Sequence, residues 1–261
     1  MLPALWVSKT GLSAQDMNLT TISNNLANVS TTGFKRDRAE FEDLLYQVRR
    51  QPGGQSSQDS QLPSGLQLGT GVRVVGTQKI FTTGSLQTTE QPLDMAVNGR
   101  GFFQVLMPDG TVSYTRDGSF HLNADGQLVT SSGFALEPAI VLPGEVRTFT
   151  VGEDGTVSVT TAGNPQPQIV GNLQLADFIN PAGLEAIGNN QFLETASSGA
   201  PQVGTPGLNG LGTTLQNTLE NSNVSVVEEL VNMITTQRAY EMNSKVISTA
   251  DQMLSFVTQN L

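Results

Sequence analysis

Apolar residues recur every seven positions at both ends of the chain. Near the N-terminus the series is Leu5, Leu12, Leu19 and Leu26, with Ile22 and Val29 beside its last member. Near the C-terminus it is Val226, Met233, Tyr240, Ile247, Leu254 and Leu261. This spacing places each series along one face of an amphipathic helix. We therefore predict a long α-helix at each end.

Residues that break helices are scarce in the same regions. Gly and Pro are absent after Gly212, and Gly11 is the only one between Pro3 and Gly33. We expect the first helix to stop at Gly33. Ser225 followed by Glu228 fits a capping box, so the second helix should begin near Ser225.

Isolated amphipathic helices gain little stability in water, so these two need partners. Pairing the first ~30 residues with the last ~40 in a helical hairpin would cover one face of each helix. A second apolar line would remain on the C-terminal helix for neighbouring subunits: Val231, Ala239, Met242, Val246, Ala250, Met253 and Val257. The alternative is that both helices pack onto the central domain of the same chain.

The middle of the chain has short β-prone runs separated by turn signals. The runs are 102–107, 112–115, 120–122, 128–130, 135–142, 149–151, 157–160 and 169–178. The dipeptides Asp109-Gly110, Asp117-Gly118, Asp125-Gly126 and Asp154-Gly155 favour tight hairpin turns. The predicted fold is mixed, with long terminal helices forming a coiled-coil-like layer and a central, mainly antiparallel β domain.

This pattern divides the chain into three parts. Residues 1–33 with 222–261 form a terminal helical polymerisation domain, 34–90 with 206–221 a connecting region, and 91–205 the β domain. Within the connecting region, the extended polar segment 46–71 contains the stretch Gln51–Gly65, in which Leu62 is the only large apolar residue. Alone, that stretch predicts a flexible linker.

Composition excludes several functions. A net charge of −10 disfavours nucleic-acid binding, and the absence of Cys rules out disulfides and thiolate metal sites. No apolar run is long enough to span a membrane, and the N-terminal residues do not match an ordinary secretory signal.

The residues also offer little for catalysis or for binding cofactors and metals. His121, the only His, lies between Phe120 and Leu122 and should face solvent. We predict no cofactor, since no phosphate-binding loop or dinucleotide fingerprint occurs, and no metal, since Asn123–Gly126 is only a turn. The charged residues Asp37, Glu40, Glu42 and Asp43 suggest a solvated helical or loop face.

Two other function classes stay open on composition alone. Carboxylates are numerous enough for a hydrolase that cuts the cell wall, although nothing nominates a catalytic pair. A monomeric adhesin would explain the Gly- and Thr-rich strands but not the heptads.

Three long segments resemble the bacterial flagellar rod and hook family. The N-terminal run SNNLANVSTTGFK is similar to the family signature, and we take as its motif Asn24, Asn25, Ala27, Asn28, Thr31, Gly33, Phe34 and Lys35. The segment 222–254 resembles its C-terminal helix, and NGRGFFQV with SYTRDGSFHLNADGQLVTSSGFAL resembles its shared β domain. Chain length and the segment Tyr46–Val75 are most similar to subunits of the distal rod.

The resemblance implies a structural protein and not an enzyme. It implies a helical homopolymer that crosses the periplasm, transmits torque to the hook and encloses the export channel. Its implied partners are further copies of the chain, proximal rod proteins, hook protein, P and L ring proteins and the flagellar type III export apparatus, with export needing no cleavable signal.

The resemblance also implies roles for particular residues. The polymerisation residues would be Leu5, Leu12, Leu19, Ile22, Leu26, Val29, Val226, Leu230, Met233, Tyr240, Ile247 and Leu254. A rod-specific ordered projection would include Gln51, Pro52, Gly53, Gly54, Leu62, Pro63 and Gly65. Polar residues that could face the channel or neighbouring subunits are Asn18, Ser23, Asn25, Gln237, Asn243 and Ser244.

Overall fold

The computed structural model describes residues 3–53, 55–57, 60–61, 63–161 and 163–259, so that Gly54, Leu62 and Leu261 lie outside it. It contains two compact units. The first combines Met1–Ala27, Asp37–Gln78 and Ser225–Leu261, and the second combines Asn28–Arg36 with Lys79–Val224.

The first unit contains both long helices. Helix α1 spans Pro3–Ala27 and helix α2 spans Val226–Gln259, which confirms the prediction of a helix at each end. Helix α2 begins directly after Ser225, whose carbonyl accepts a hydrogen bond from the Glu229 N–H at 3.0 Å. That start also agrees with the sequence.

The predicted end of the first helix was wrong, because α1 stops at Ala27 and not at Gly33. Past the helix, the Asn28 carbonyl accepts from the Thr31 N–H at 3.2 Å, and the Asn28 side chain accepts from the Thr31 hydroxyl at 3.2 Å. Asn and Thr side chains of this kind compete with helical hydrogen bonding. Gly33 has φ +68° and belongs to the turn that follows.

Between the two helices, the described residues include six strands before the β unit: β1 Asp37–Asp43, β2 Tyr46–Arg50, β3 Gln55–Ser57, β4 Ser60–Gln61, β5 Leu66–Gly69 and β6 Val72–Lys79. They pair as β1–β6, β2–β5 and β3–β4.

Strand β1 corrects the prediction of a helical or loop face at Asp37, Glu40, Glu42 and Asp43, since all four lie within it. Glu40 and Glu42 are exposed, and Glu42 accepts from the Arg73 guanidinium at 2.8 Å. Glu40 and Glu42 therefore lie on the solvent side of the strand, opposite the buried Ala39.

The second unit contains sixteen strands among the described residues. They are β7 Leu86–Thr88, β8 Met95–Asn98, β9 Phe102–Leu106, β10 Val112–Thr115, β11 Phe120–Leu122, β12 Leu128–Thr130, β13 Ala135–Glu137, β14 Val146–Val151, β15 Thr156–Thr161, β16 Asn164–Asn172, β17 Leu175–Asp177, β18 Glu185–Gly188, β19 Gln191–Leu193, β20 Gln202–Gly204, β21 Thr213–Gln216 and β22 Thr218–Glu220. A short 3-10 helix spans Pro181–Gly183.

These strands form a mainly antiparallel β unit, as predicted. The largest sheet has nine strands, seven of them in the order β11-β12-β13-β9-β10-β19-β18, with β17 pairing with β9 and β20. A second sheet has the order β14-β15-β16, and two further pairs are β21–β8 and β22–β7. All the pairings in these sheets are antiparallel.

Three of the four predicted hairpin turns are confirmed, at Asp109-Gly110, Asp125-Gly126 and Asp154-Gly155. The fourth, Asp117-Gly118, was wrong because it joins β10 to β11, which are not neighbours in the sheet.

Gly118 has a different role, in backbone contact. Its carbonyl accepts from the Met95 N–H at 3.0 Å, and a Cβ at Gly118 would overlap the Met95 carbonyl oxygen. Glycine is therefore required here for close approach of two chain segments.

Strand β9 separates two hydrophobic cores, because successive side chains point to opposite faces of a strand. Phe103 belongs to the larger core with Phe120, at a ring-centroid distance of 5.2 Å. Phe102 belongs to the smaller core, where edge-to-face contacts join it to Phe178 and Phe192.

Candidate assembly surface

Helices α1 and α2 pack along each other in antiparallel directions. The Asn18 side-chain amide donates to the Thr236 hydroxyl at 3.1 Å. One heptad towards the N-terminus, Gly11 lies beneath Asn243, and a Cβ there would stand 3.1 Å from the Asn243 amide nitrogen. The predicted pairing of the two terminal helices is therefore observed.

The leucines of the N-terminal heptad lie beside this line of contact. Leu5, Leu12, Leu19 and Leu26 are all half-buried, whereas Ile22 is buried. Val29 lies past the helix and is half-buried within the second unit. Each of the four leucines therefore keeps part of its surface exposed to solvent.

On α2 the predicted interface residues are still more accessible. Val226, Leu230, Tyr240 and Leu254 are exposed, and Met233 and Ile247 are half-buried. Large apolar side chains exposed together on one helix are typical of a site that contacts another molecule.

A second set of apolar side chains lines the outer surface of α2. Val231, Met242 and Met253 are 54%, 64% and 63% exposed, and they follow each other at intervals of eleven residues. Eleven residues make about three whole helical turns, so these side chains share one side of the helix. Of the predicted second apolar line, Val231, Met242 and Met253 are therefore uncovered, whereas Ala239 and Ala250 are half-buried.

Polar residues that sequence reasoning assigned to a channel or a neighbour divide into two groups. Asn25 is buried, and Asn18 and Asn243 contact the partner helix, so these three have contacts inside the subunit. This corrects the assignment for Asn25, which has no accessible surface to offer. Ser23, Gln237 and Ser244 are exposed.

The Asn25 side chain instead forms hydrogen bonds with the backbone of β1, as a neighbouring strand would. Its amide nitrogen donates to the Asp37 carbonyl and its amide oxygen accepts from the Asp37 N–H, both at 2.8 Å. One side chain thus satisfies both backbone groups of a residue that follows the helix.

The other motif residues have separate positions. Asn24 and Ala27 are exposed, and Asn28 and Thr31 form the turn after α1. Phe34 is half-buried, with the Lys79 ammonium 5.3 Å from its ring centroid.

The motif ends in a buried ionic cluster of Lys35, Glu220 and Arg116. The Lys35 ammonium lies 2.5 Å from one Glu220 carboxylate oxygen, and the Arg116 guanidinium lies 3.3 Å from the other. All three side chains are almost fully buried. Sequence reasoning placed Lys35 in the motif but missed both partners.

Backbone groups complete the cluster. Lys35 also donates to the Thr82 carbonyl at 2.8 Å, and Glu220 accepts from the Gly84 N–H at 2.8 Å. Arg116 donates to the Gly99 carbonyl at 2.6 Å. The cluster therefore joins the motif, the start of the β unit and the strand that leads towards α2.

Burial governs the electrostatics of the cluster. Loss of water lowers the pKa of Lys35 below 10.5, and the Glu220 carboxylate opposes that effect. Burial likewise lowers the pKa of Arg116, again against Glu220. One carboxylate thus serves two buried cations.

The polar segment forms a β-ribbon where the structure describes it. Strands β2 and β5 pair, so Gln51–Gly65 is the connection of a hairpin, and β3 and β4 pair within that connection. Gln51, Pro52, Gly53 and Pro63 are exposed, while Gly65 is half-buried.

The ribbon carries apolar side chains without covering them. Tyr46 and Val48 alternate with Gln47 on β2, and Leu68 lies opposite Gln47, so apolar groups occur on both faces. Each of these apolar residues is exposed, as is Leu66. This is a second uncovered surface.

The described residues offer no candidate metal site. No group of three His, Cys, Asp or Glu side chains there could hold a metal ion. His121 is exposed in β11, as predicted. In that same part of the chain, no helix combines the length and hydrophobicity needed to cross a membrane.

Three family models match the chain. A model described as Flagella basal body rod protein matches residues 5–35, and one described as Flagellar hook protein FlgE/F/G D1 domain matches residues 96–159. A third, Flagellar basal body rod FlgEFG protein C-terminal, matches residues 215–260. The matches cover both helices and part of the β unit.

Whole-length relatives agree with these models. The Flagellar basal-body rod protein FlgG of Buchnera aphidicola subsp. Schizaphis graminum is 58% identical, over 99% of this chain and 100% of that protein. The protein of the same name from Caulobacter vibrioides is 49% identical, over 99% of both chains. The one from Bacillus subtilis is 35% identical, over 97% of both.

Proposed function

The chain belongs to the flagellar basal-body rod protein family, and we propose that it polymerises helically into the distal rod. Membership makes it a structural protein of the flagellar basal body, and not an enzyme. The finer proposal is a drive shaft that crosses the periplasm, transmits torque to the hook and encloses the export channel.

The observation that carries the proposal is the uncovered apolar line on α2. Complete burial of a Val or Met side chain stabilises a protein by ~1.5–3 kcal/mol. Val231, Met242 and Met253 each leave more than half of that surface in water. A second copy of the chain, repeated along a helical lattice, would cover the line in every subunit.

The ribbon of β2 and β5 supports the same proposal. A two-stranded ribbon is marginal alone in water and becomes stable when it packs on another surface. Its exposed apolar residues on both faces favour packing between neighbouring subunits. In our proposal this contact stiffens the rod.

The remaining partners follow from the rod assignment. In our proposal the paired terminal helices form the innermost, coiled-coil-like layer, and Ser23, Gln237 and Ser244 line the channel or contact neighbours. Proximal rod proteins and hook protein occupy the two ends, with P and L ring proteins around the shaft. The type III export apparatus passes the unfolded chain, which the absence of Cys favours because no disulfide can block unfolding.

Sedimentation tests the α2 surface. We expect Val231→Glu/Met242→Glu to abolish concentration-dependent assembly of the purified chain, because two charges would enter an apolar contact. The control Ser248→Glu/Ser255→Glu adds the same charge to the same helix at exposed positions. Assembly equal to that of the unchanged chain in the first variant would refute this surface.

Deletion of residues 51–65 tests the ribbon. We expect the β unit to keep its stability, since its two cores contain none of these residues. Filaments of the deleted chain should bend more easily, as measured from their curvature in electron micrographs. Unchanged stiffness would remove the ribbon from the proposal while leaving the α2 contact intact.

A further inference from the structure

The contact line between α1 and α2 contains polar layers at positions where paired helices usually bury large apolar residues. Asn18 with Thr236 and Gly11 with Asn243 form two layers, one heptad apart. Continuing by another heptad places Asn25 level with Glu229, and both are buried. The opposite step places Ala4 level with Ala250.

The Thr236 hydroxyl is oriented for its partner. It donates to the Asn232 carbonyl at 2.7 Å, which leaves an oxygen lone pair to accept from the Asn18 amide. Because its proton is already committed within α2, this hydroxyl serves as an acceptor for α1.

Sliding one helix by a single turn would destroy this match. Asn18 would then face Met233 or Tyr240 in place of Thr236, with one turn being three or four residues. Met233 offers no oxygen acceptor, and the Tyr240 hydroxyl is held at the end of a much longer side chain than that of Thr236. Apolar layers, in contrast, exchange one partner for another with little loss, so they specify register weakly.

We infer that Asn18 and Thr236, with Asn243 packed on Gly11, select the axial register of the two terminal helices. The polar layers exclude alternative pairings more than they strengthen the native one. This role concerns pairing within one chain and does not depend on assembly. The register sets the axial position of Val231, Met242 and Met253 relative to α1.

Engineered cross-links can measure register directly, because the chain contains no Cys. Ala4→Cys/Ala250→Cys reports the native register. Ala4→Cys combined with Ile247→Cys or with Leu254→Cys reports a slip of one turn in either direction. In the full-length chain, oxidised at low concentration and separated by mass, we expect the native pair to dominate.

The decisive variant is Asn18→Leu/Thr236→Val in each cross-linking background. We expect the ratio of slipped to native product to rise roughly fivefold or more, the factor that corresponds to one net hydrogen bond. If Asn18 and Thr236 merely strengthened the helix pair, replacing them would lower the yields of all three cross-links together and leave the ratio unchanged. An unchanged ratio therefore overturns the inference.

The matched control is Ser13→Leu/Thr235→Val. Thr235 donates to the same Asn232 carbonyl at 2.8 Å but is exposed, as is Ser13. We expect this control to keep the ratio of the unchanged chain. If its ratio of slipped to native product rose as much as that of Asn18→Leu/Thr236→Val, the inference would also be overturned. If Asn18→Leu/Thr236→Val fails to fold, the single change Thr236→Val can be compared with Thr236→Ser, which keeps the hydroxyl. Thr236→Val should still give the higher ratio of slipped to native product.

Discussion

The helix pair and the β unit treat large apolar side chains in opposite ways. In the β unit, Phe102, Phe103 and Phe120 are at most 2% exposed. In the helix pair, Met242 and Met253 remain mostly exposed while Asn25 and Glu229 are buried.

The difference shows which part of the chain is complete by itself. A core of interlocked aromatic rings needs no neighbour, because its apolar surface is already removed from water. A helix pair that buries polar residues and leaves large apolar residues exposed obtains only part of its possible apolar burial from its own chain. The terminal helices are therefore the part that would gain further burial if the chain assembles as we propose.

The largest expected effect tests the completeness of the β unit. Phe103→Ala should lower the free energy of unfolding of that unit by about 4 kcal/mol, through lost burial and the cavity left behind. Met242→Ala, at an exposed site, should change stability by less than about 0.5 kcal/mol. Urea unfolding followed by hydrogen exchange of each unit separates the two, and equal losses would abolish the contrast.

The buried ionic cluster should produce the next largest effect. Glu220→Gln leaves Lys35 and Arg116 without their shared carboxylate, so we expect a loss of about 3 kcal/mol. Lys35→Met leaves the contact between Arg116 and Glu220, so about 1–2 kcal/mol should be lost. Urea titration of both variants gives the comparison, and a larger loss in Lys35→Met would contradict this account of the charges.

A smaller effect is expected from Asn25 in the helix pair. Asn25→Ala removes two hydrogen bonds to Asp37 and should cost about 1–2 kcal/mol. Asn25→Asp keeps the acceptor but turns a buried carboxylate oxygen towards the Asp37 carbonyl, so it should cost at least as much as Asn25→Ala. Exchange of the Asp37 amide hydrogen measures the effect locally, and full protection in Asn25→Ala would count against these bonds.

The smallest effect is a change of stability with pH. Because the pKa of Lys35 is lowered below 10.5, the folded chain holds fewer protons than the unfolded chain between that lowered pKa and 10.5. Its contribution to stability therefore rises as pH increases through that window. In Glu220→Gln the pKa of Lys35 should fall further, because the carboxylate that opposes the effect of burial is gone. Stability measured between pH 7 and 10 should therefore rise more steeply with pH than in the unchanged chain. A falling curve would exclude this linkage.

Elements that a few adjacent residues determine could be predicted from local sequence patterns. The turn at Asp109-Gly110 and the helix start after Ser225 were predictable because a few adjacent residues determine them. The end of α1 was not, since Asn28 and Thr31 bond to each other and stop the helix before its glycine.

Contacts between distant residues were beyond the sequence pattern. Lys35 and Glu220 are separated by 185 positions, and no periodicity relates them. Asn18 and Thr236 resemble ordinary surface residues until the two helices are aligned. Polar residues at helix contacts depend on a partner that the linear pattern does not identify.

Helix α2 carries two lines of different period, the contact with α1 and the exposed apolar line. The line facing α1 repeats every seven residues, which favours a left-handed supercoil, whereas Val231, Met242 and Met253 repeat every eleven, which favours a right-handed one. Contacts on both lines would twist the helix in opposite senses, so each limits the coiling that the other imposes. A straight α2 is the geometry that serves both.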